Sequence, residues 1–241
     1  MRKRKSIMSI TIYWACNDES WLRAKTPEPI YKNFVQNPKN QKNNITLCPA
    51  TKDYMQNIFS IKSLFSYDFT LGLNEEVNEV FTGQYDQKFF DNHVLVRSRK
   101  DRLFTFFQRF CFFTEEKSLL MSAGILPFLE DNNITKRCVV IPGTFDIGRW
   151  FRQIEFAFYL KKDYDEFKIE EDEIYQYIKF HTKEKIIFKQ FRVNSKIQDL
   201  IYDIDYAKNY RKQKFRSLEE YYLMLKNKKH IIKEIKNNLV N

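Results

Sequence analysis

Residues 103–114 read Leu-Phe-Thr-Phe-Phe-Gln-Arg-Phe-Cys-Phe-Phe-Thr, with six phenylalanines in twelve positions. In an extended chain successive side chains point to opposite faces. Phe104, Phe106, Phe110 and Phe112 then share one face, and Leu103, Phe107, Cys111 and Phe113 share the other. A strand apolar on both faces belongs inside a sheet that is covered on both sides. Periodicity alone also permits a buried helix. The density of Phe, with Thr near either end, favours the strand.

Working outward, the same alternation recurs. Residues 9–15 (Ser-Ile-Thr-Ile-Tyr-Trp-Ala) predict a first strand, residues 61–73 one or two more, and residues 93–96 a short one. Residues 138–141 form a strand that stops at Pro142-Gly143. In residues 149–160, Trp150, Ile154, Phe156, Phe158 and Leu160 fall on one face and Arg149, Gln153, Glu155 and Tyr159 on the other. Residues 161–166 are a polar connection. Residues 174–180 alternate with Ile174, Ile178 and Phe180 inward, and residues 185–193 place Ile187, Phe191 and Val193 on one side.

Between these runs, Pro27 and Pro29 break residues 21–34, and residues 36–44 are a polar surface loop. Pro49 opens one short helix over 49–59, with Tyr54, Met55 and Ile58 on a shared face. Strands at this spacing, joined by short polar connections, predict a mainly β (α+β) fold, an antiparallel β-roll or sandwich. From Asp199 the period changes. Ser217 and Glu220 have the spacing of a capping box, and Leu218, Tyr221, Tyr222, Leu225, Ile232, Ile235 and Leu239 follow at helical spacing. The organisation expected is a basic tail over 1–6, a β-rich domain over 7–198 and a basic helical extension over 199–241.

The totals agree with a folded body. The chain has 241 residues, 17% of them aromatic, with five Gly and six Pro. That is long enough for a sizeable core and too poor in Gly and Pro for a fibrous chain. Mean hydropathy is −0.56, and no run approaches the roughly eighteen apolar residues of a membrane-spanning helix. The N-terminal segment lacks the apolar centre of a signal peptide, so the cytosol is the expected compartment. Cys16, Cys48, Cys111 and Cys138 are scattered without metal-ligand spacing and are expected as thiols, with Cys111 a buried filler among phenylalanines.

The net charge of +10 is carried by the ends. Residues 2–5 hold four cations, and residues 206–241 hold ten against three acids. The remaining body is close to neutral, so the basic balance does not by itself mark it for a polyanion. Within the extension, Lys208, Arg211, Lys212, Lys214 and Arg216 interleave with Tyr210 and Phe215. Cations could neutralise phosphates there while rings stack on unpaired bases, making residues 206–236 a candidate single-stranded nucleic-acid interface. A solvated lysine face whose aromatics pack on the body explains the same residues.

Signatures of catalysis are scarce. The three histidines, His93, His181 and His230, lie in no zinc or iron motif, and neither a phosphate-cradling glycine loop nor a nucleophile elbow occurs. No cofactor and no metal are expected. Residues 142–152 (Pro-Gly-Thr-Phe-Asp-Ile-Gly-Arg-Trp-Phe-Arg) spend two of the five glycines within six positions. Asp146, Arg149 and Arg152 could line a small anionic-ligand site at this turn. The competing reading has Asp146 capping the turn through its side chain and the arginines on a solvated face.

Two resemblances attach to these residues. Residues 142–180 resemble the second half of the trimeric dUTPase and dCTP deaminase fold, through the Pro-Gly turn and through Asp172, Ile174 and Gln176 of a later signature. Glu171 replaces that signature's glycine. Arg97-Ser98-Arg99 only approximates the family's phosphate motif, and the catalytic Asp motif and glycine-rich arm are absent. The resemblance therefore implies a β-clip or roll architecture and no activity. The whole chain also resembles uncharacterised proteins of tailed phages of marine bacteria. The shared segments are Trp21-Leu22-Arg23 with Pro27 and Pro29, Leu47-Cys48-Pro49-Ala50, and residues 142–152. That resemblance implies a phage gene product in a host cytoplasm.

The function expected first is a non-enzymatic accessory or structural protein acting through a protein partner or self-association. The alternatives are a single-stranded nucleic-acid-binding module, and an enzyme or binder of a nucleotide or phosphorylated small molecule at 142–152.

Overall fold

The double-sided strand is present over Leu103–Thr114 and lies inside a six-stranded sheet. The computed structural model describes residues 9–16, 24–31, 48–71, 80–81, 87–125, 131–210, 217–223, 225 and 227–240. Its strands, in chain order, are β1 (Ser9–Cys16), β2 (Glu28–Pro29), β3 (Ile58–Lys62), β4 (Tyr67–Thr70), β5 (Val80–Phe81), β6 (Val94–Ser98), β7 (Leu103–Thr114), β8 (Leu120–Ile125), β9 (Cys138–Ile141), β10 (Gly143–Asp146), β11 (Gln153–Leu160), β12 (Glu166–Ile169), β13 (Ile174–Phe180) and β14 (Lys185–Gln190). The described helices are α1 (Pro49–Met55), α2 (Gln87–His93), α3 (Asn133–Arg137), α4 (Ser195–Tyr210), α5 (Leu218–Tyr222) and α6 (Lys228–Asn237).

The six-stranded sheet runs β14-β1-β7-β11-β9, with β6 also paired to β7. A five-stranded sheet runs β10-β8-β13-β3-β2, and a three-stranded one β12-β4-β5. The fold is β-rich α+β, and its pairs are antiparallel except β1 with β14, which run parallel. The antiparallel expectation came from short connections. Those two strands come from opposite ends of the body, so no hairpin dictates their relative direction.

Inward faces of all three sheets meet in one aromatic core. Phe104, Phe106, Phe110 and Phe112 of β7 are each at most 2% exposed. Phe106 lies 4.6 Å from Tyr67, 5.3 Å from Phe158 and 5.3 Å from Phe167, ring centre to ring centre. Offset and edge-on rings at these distances add attraction beyond area burial. The outward side of β7 meets a second cluster. Tyr13, Ala15, Cys111, Phe113 and Phe151 pack against Phe191 and against Ile197, Ile201, Ile231 and Ile235 of α4 and α6. The C-terminal helices thus supply the second cover that the composition of residues 103–114 demanded.

Several boundaries differ from expectation. The helix begun by Pro49 stops at Met55, because Ile58 already belongs to a strand. Asn57 between them takes φ 56°, a left-handed turn. His93 ends α2 instead of starting a strand. Strands β2, β5, β8, β10 and β12 and helices α2 and α3 were not anticipated; β2 forms at Glu28–Pro29 inside the stretch its prolines were expected to break, by pairing with Phe59 and Ser60, and β10 starts directly at the Gly143 of a Pro-Gly turn signal. The single C-terminal helix is divided into α5 and α6, with Asn227 at φ 61° before the second. Ser217 caps α5 by accepting from the Glu220 N–H at 3.4 Å. The full reciprocal capping box sits unanticipated at Asn132 and Thr135.

Candidate functional site

The turn over residues 142–152 is built from its acid. Asp146 is 3% exposed at the end of β10. One carboxylate oxygen accepts from Ser118 Oγ at 2.6 Å, and the other from the backbone N–H groups of Leu119 at 2.9 Å and Gly148 at 3.0 Å. Three donors on one buried carboxylate tie the β7–β8 connection to the β10–β11 connection. Gly148 is required by close approach, since a Cβ there would lie 2.5 Å from Glu116 O.

The arginines have partners of their own. Arg149 pairs with both carboxylate oxygens of Glu219, one at 3.0 Å, and its guanidinium lies 4.8 Å from the Tyr222 ring centre. The Glu219 hydrogen bond holds the arginine's pKa above its ordinary value, and the same bond holds the Glu219 carboxyl below the usual range. Arg152 is 6% exposed, with its guanidinium 5.0 Å from the Trp150 ring and 3.7 Å from Glu155.

What the block receives is the C-terminal segment. Tyr222 OH accepts from the Asp146 N–H at 2.8 Å, and burial pushes the phenol's pKa up. Trp150 meets the rings of Tyr221 and Tyr222 edge-on at 6.2 and 6.0 Å. Lys228 donates to Gly148 O at 2.8 Å and to Glu116 O, over the Phe113 ring at 5.4 Å; burial lowers its pKa. Lys236 bonds Glu115 at 3.0 Å, and Tyr13 OH donates to the same carboxylate at 2.6 Å. Asp146, Arg149 and Arg152 therefore have turn-capping, clamping and packing partners. The charge pattern that suggested a ligand has its observed partners within the chain.

Of the nucleic-acid candidates, Arg211, Lys212, Lys214, Phe215 and Arg216 lie outside the described residues, as does the basic tail over 1–6. Lys208 and Tyr210 fall on α4, and their side chains are likewise outside the description. Among the described residues no group of His, Cys, Asp and Glu is placed to hold a metal ion.

Two arrangements escaped the sequence reading. Ser122 Oγ lies 2.7 Å from His181 Nε2 and 2.9 Å from Thr144 Oγ1 on the solvent side of the five-stranded sheet. Burial, with Lys179 nearby, lowers the His181 pKa. Ser122 and Thr144 sit on β8 and β10, which gave no strand signal. The second is a cavity of about 480 Å3 lined by Tyr31, Pro49, Lys52, Asp53, Gln56 and Asn57 beside α1. Against protein-family models, curated proteins and solved structures, the chain finds no match.

Proposed function

We propose that this chain is a non-enzymatic accessory or structural protein that works by self-association, with the open edge at β9 as its contact. The contrast between the β14 and β9 edges of the six-stranded sheet carries the reading. At one edge, β14 points Lys185 and Lys189 outward around Ile187. That edge is closed further on by the Phe191–Leu239 bridge and the Val240 N–H on Gln190 O at 2.9 Å. Lysines and local cover are how sheets prevent edge-to-edge pairing.

Among the described residues the β9 edge has neither device. Its sequence is Cys-Val-Val-Ile, with Val139 and Ile141 47% and 44% exposed. Lys161 N–H bonds Arg137 O at 2.8 Å, which fixes the alternation of the ladder. Val139 and Ile141 then bond β11, and Val140 turns its N–H and C=O to the open side. A second copy meeting β9 antiparallel about a two-fold axis would close a reciprocal pair at Val140 and bring four aliphatic side chains together. Pro142 ends the pairing after a few residues, so the expected dimer is weak and concentration-dependent. The resemblance to tailed-phage proteins supplies the setting, a gene product that acts in a host cytoplasm.

Sedimentation of the intact chain over a concentration series tests this. A monomer–dimer equilibrium should appear, and it should vanish in Val139→Lys/Ile141→Lys with the circular dichroism spectrum unchanged. A monomer at every concentration, or a dimer indifferent to both lysines, would refute the reading.

A further inference from the structure

The cavity beside α1 has a size and a chemistry that narrow its occupant. Its volume of about 480 Å3 falls among small-molecule sites, roughly 300–1,000 Å3. It lies where Tyr31 and Met55 pack with Ile58 and Tyr177 against the outer side of the five-stranded sheet. Tyr31 offers a ring, and Lys52 Nζ stands 5.9 Å from that ring's centre.

The polar lining is biased toward acceptors. Gln56 donates its amide nitrogen to Lys183 O at 3.2 Å. Asn57 commits its amide nitrogen twice, to Thr182 O at 2.8 Å and Glu184 O at 3.0 Å. The 182–184 carbonyls thus take both N–H groups of Asn57 and one of Gln56, which leaves a ligand the two side-chain oxygens and one Gln56 N–H. Asp53 adds a carboxylate that has no side-chain partner among the described residues. Against the acceptors of Asp53, Gln56 and Asn57 stand the Lys52 ammonium, one Gln56 N–H and the Tyr31 hydroxyl. Asp53 and Lys52 balance in charge, so the lining favours a neutral molecule that donates hydrogen bonds and is flat enough to lie on Tyr31.

We propose that this cavity binds a nucleobase carrying an exocyclic amino group, with the base against Tyr31 and its amino group donating to Asp53 and the amide oxygens. The site is separate from the 142–152 turn and does not depend on self-association. The base can come from a free nucleotide or from a single strand. Both present the same edge.

Calorimetric titration of the intact chain with cytidine, uridine, cytidine monophosphate and a short oligodeoxycytidylate tests it. Cytidine presents a 4-amino donor where uridine presents a 4-oxo acceptor, with the donor and acceptor roles at N3 reversed as well; the uridine carbonyl would face the Asp53 carboxylate, so cytidine should bind about tenfold more tightly. Asp53→Ala, a change on an exposed residue, should remove that preference. Tyr31→Phe should retain binding and Tyr31→Ala should weaken it about tenfold. Tighter binding of the oligonucleotide than of the monophosphate, abolished by Asp53→Ala, would identify a strand as the source; the reverse order would identify the free nucleotide. Equal affinity for cytidine and uridine, heat from none of the four ligands, or full binding by Asp53→Ala would overturn the proposal. Because none of these variants touches β9, failure here leaves the sedimentation result intact.

Discussion

At the scale of single residues, Asp146 illustrates how the same letters can be read as chemistry or as architecture. Acid, arginines and glycines in one turn suggest an anion site, yet the carboxylate is buried and saturated by Ser118, Leu119 and Gly148. Asp146→Ala should therefore cost stability, by about 2–3 kcal/mol in urea unfolding, because three donors lose a charged acceptor. The sequence showed which residues were unusual and also offered the capping alternative. It could not decide between them, because Glu219, Tyr222 and Lys228 lie some 70 to 80 positions away. His181 makes the complementary point. Burial beside Lys179 depresses its pKa below the ordinary histidine value. Its contribution to stability should be complete above the unfolded histidine's pKa and fade as pH falls through the folded pKa. A nuclear magnetic resonance titration of the His181 ring should give a midpoint below 6.5.

At the scale of elements, alternation found the long strands and, of the short ones, β6 and β9, but missed others. Twelve residues of β7 and eight of β11 give enough periods to register. Four residues of β10 that begin with the glycine of a Pro-Gly do not, and they look like a turn. The C-terminal helices show a different limit. Their apolar spacing was legible, but Asn227 at φ 61° divides them, and a left-handed asparagine carries no periodic signal. The cover they provide is substantial. Ile235 is fully buried against the outward face of the sheet, and Ile235→Ala should destabilise the protein by about 2–5 kcal/mol. Lys233→Ala, on an exposed position of the same helix, should cost nothing measurable by the same denaturant assay.

At the scale of the whole molecule, an aromatic interior between three sheets is closed on one outer side by the chain's own C-terminus. The 142–152 turn is the clamp that holds it. The composition of residues 103–114 made a two-sided cover readable from sequence, although which element supplies each cover needed coordinates. The candidate basic interface over 206–236 is only partly described. Where it is described, Lys228 and Lys236 bind carbonyls and Glu115 of the body. Residue-resolved amide hydrogen exchange on the intact chain and on Tyr222→Phe tests the clamp most directly. The Asp146 N–H donates to the Tyr222 hydroxyl, so removing that oxygen should speed exchange at Asp146 and, with it, across residues 228–237, while β7 stays protected. Unchanged exchange at Asp146, or release of the helix with the turn still protected, would contradict the account.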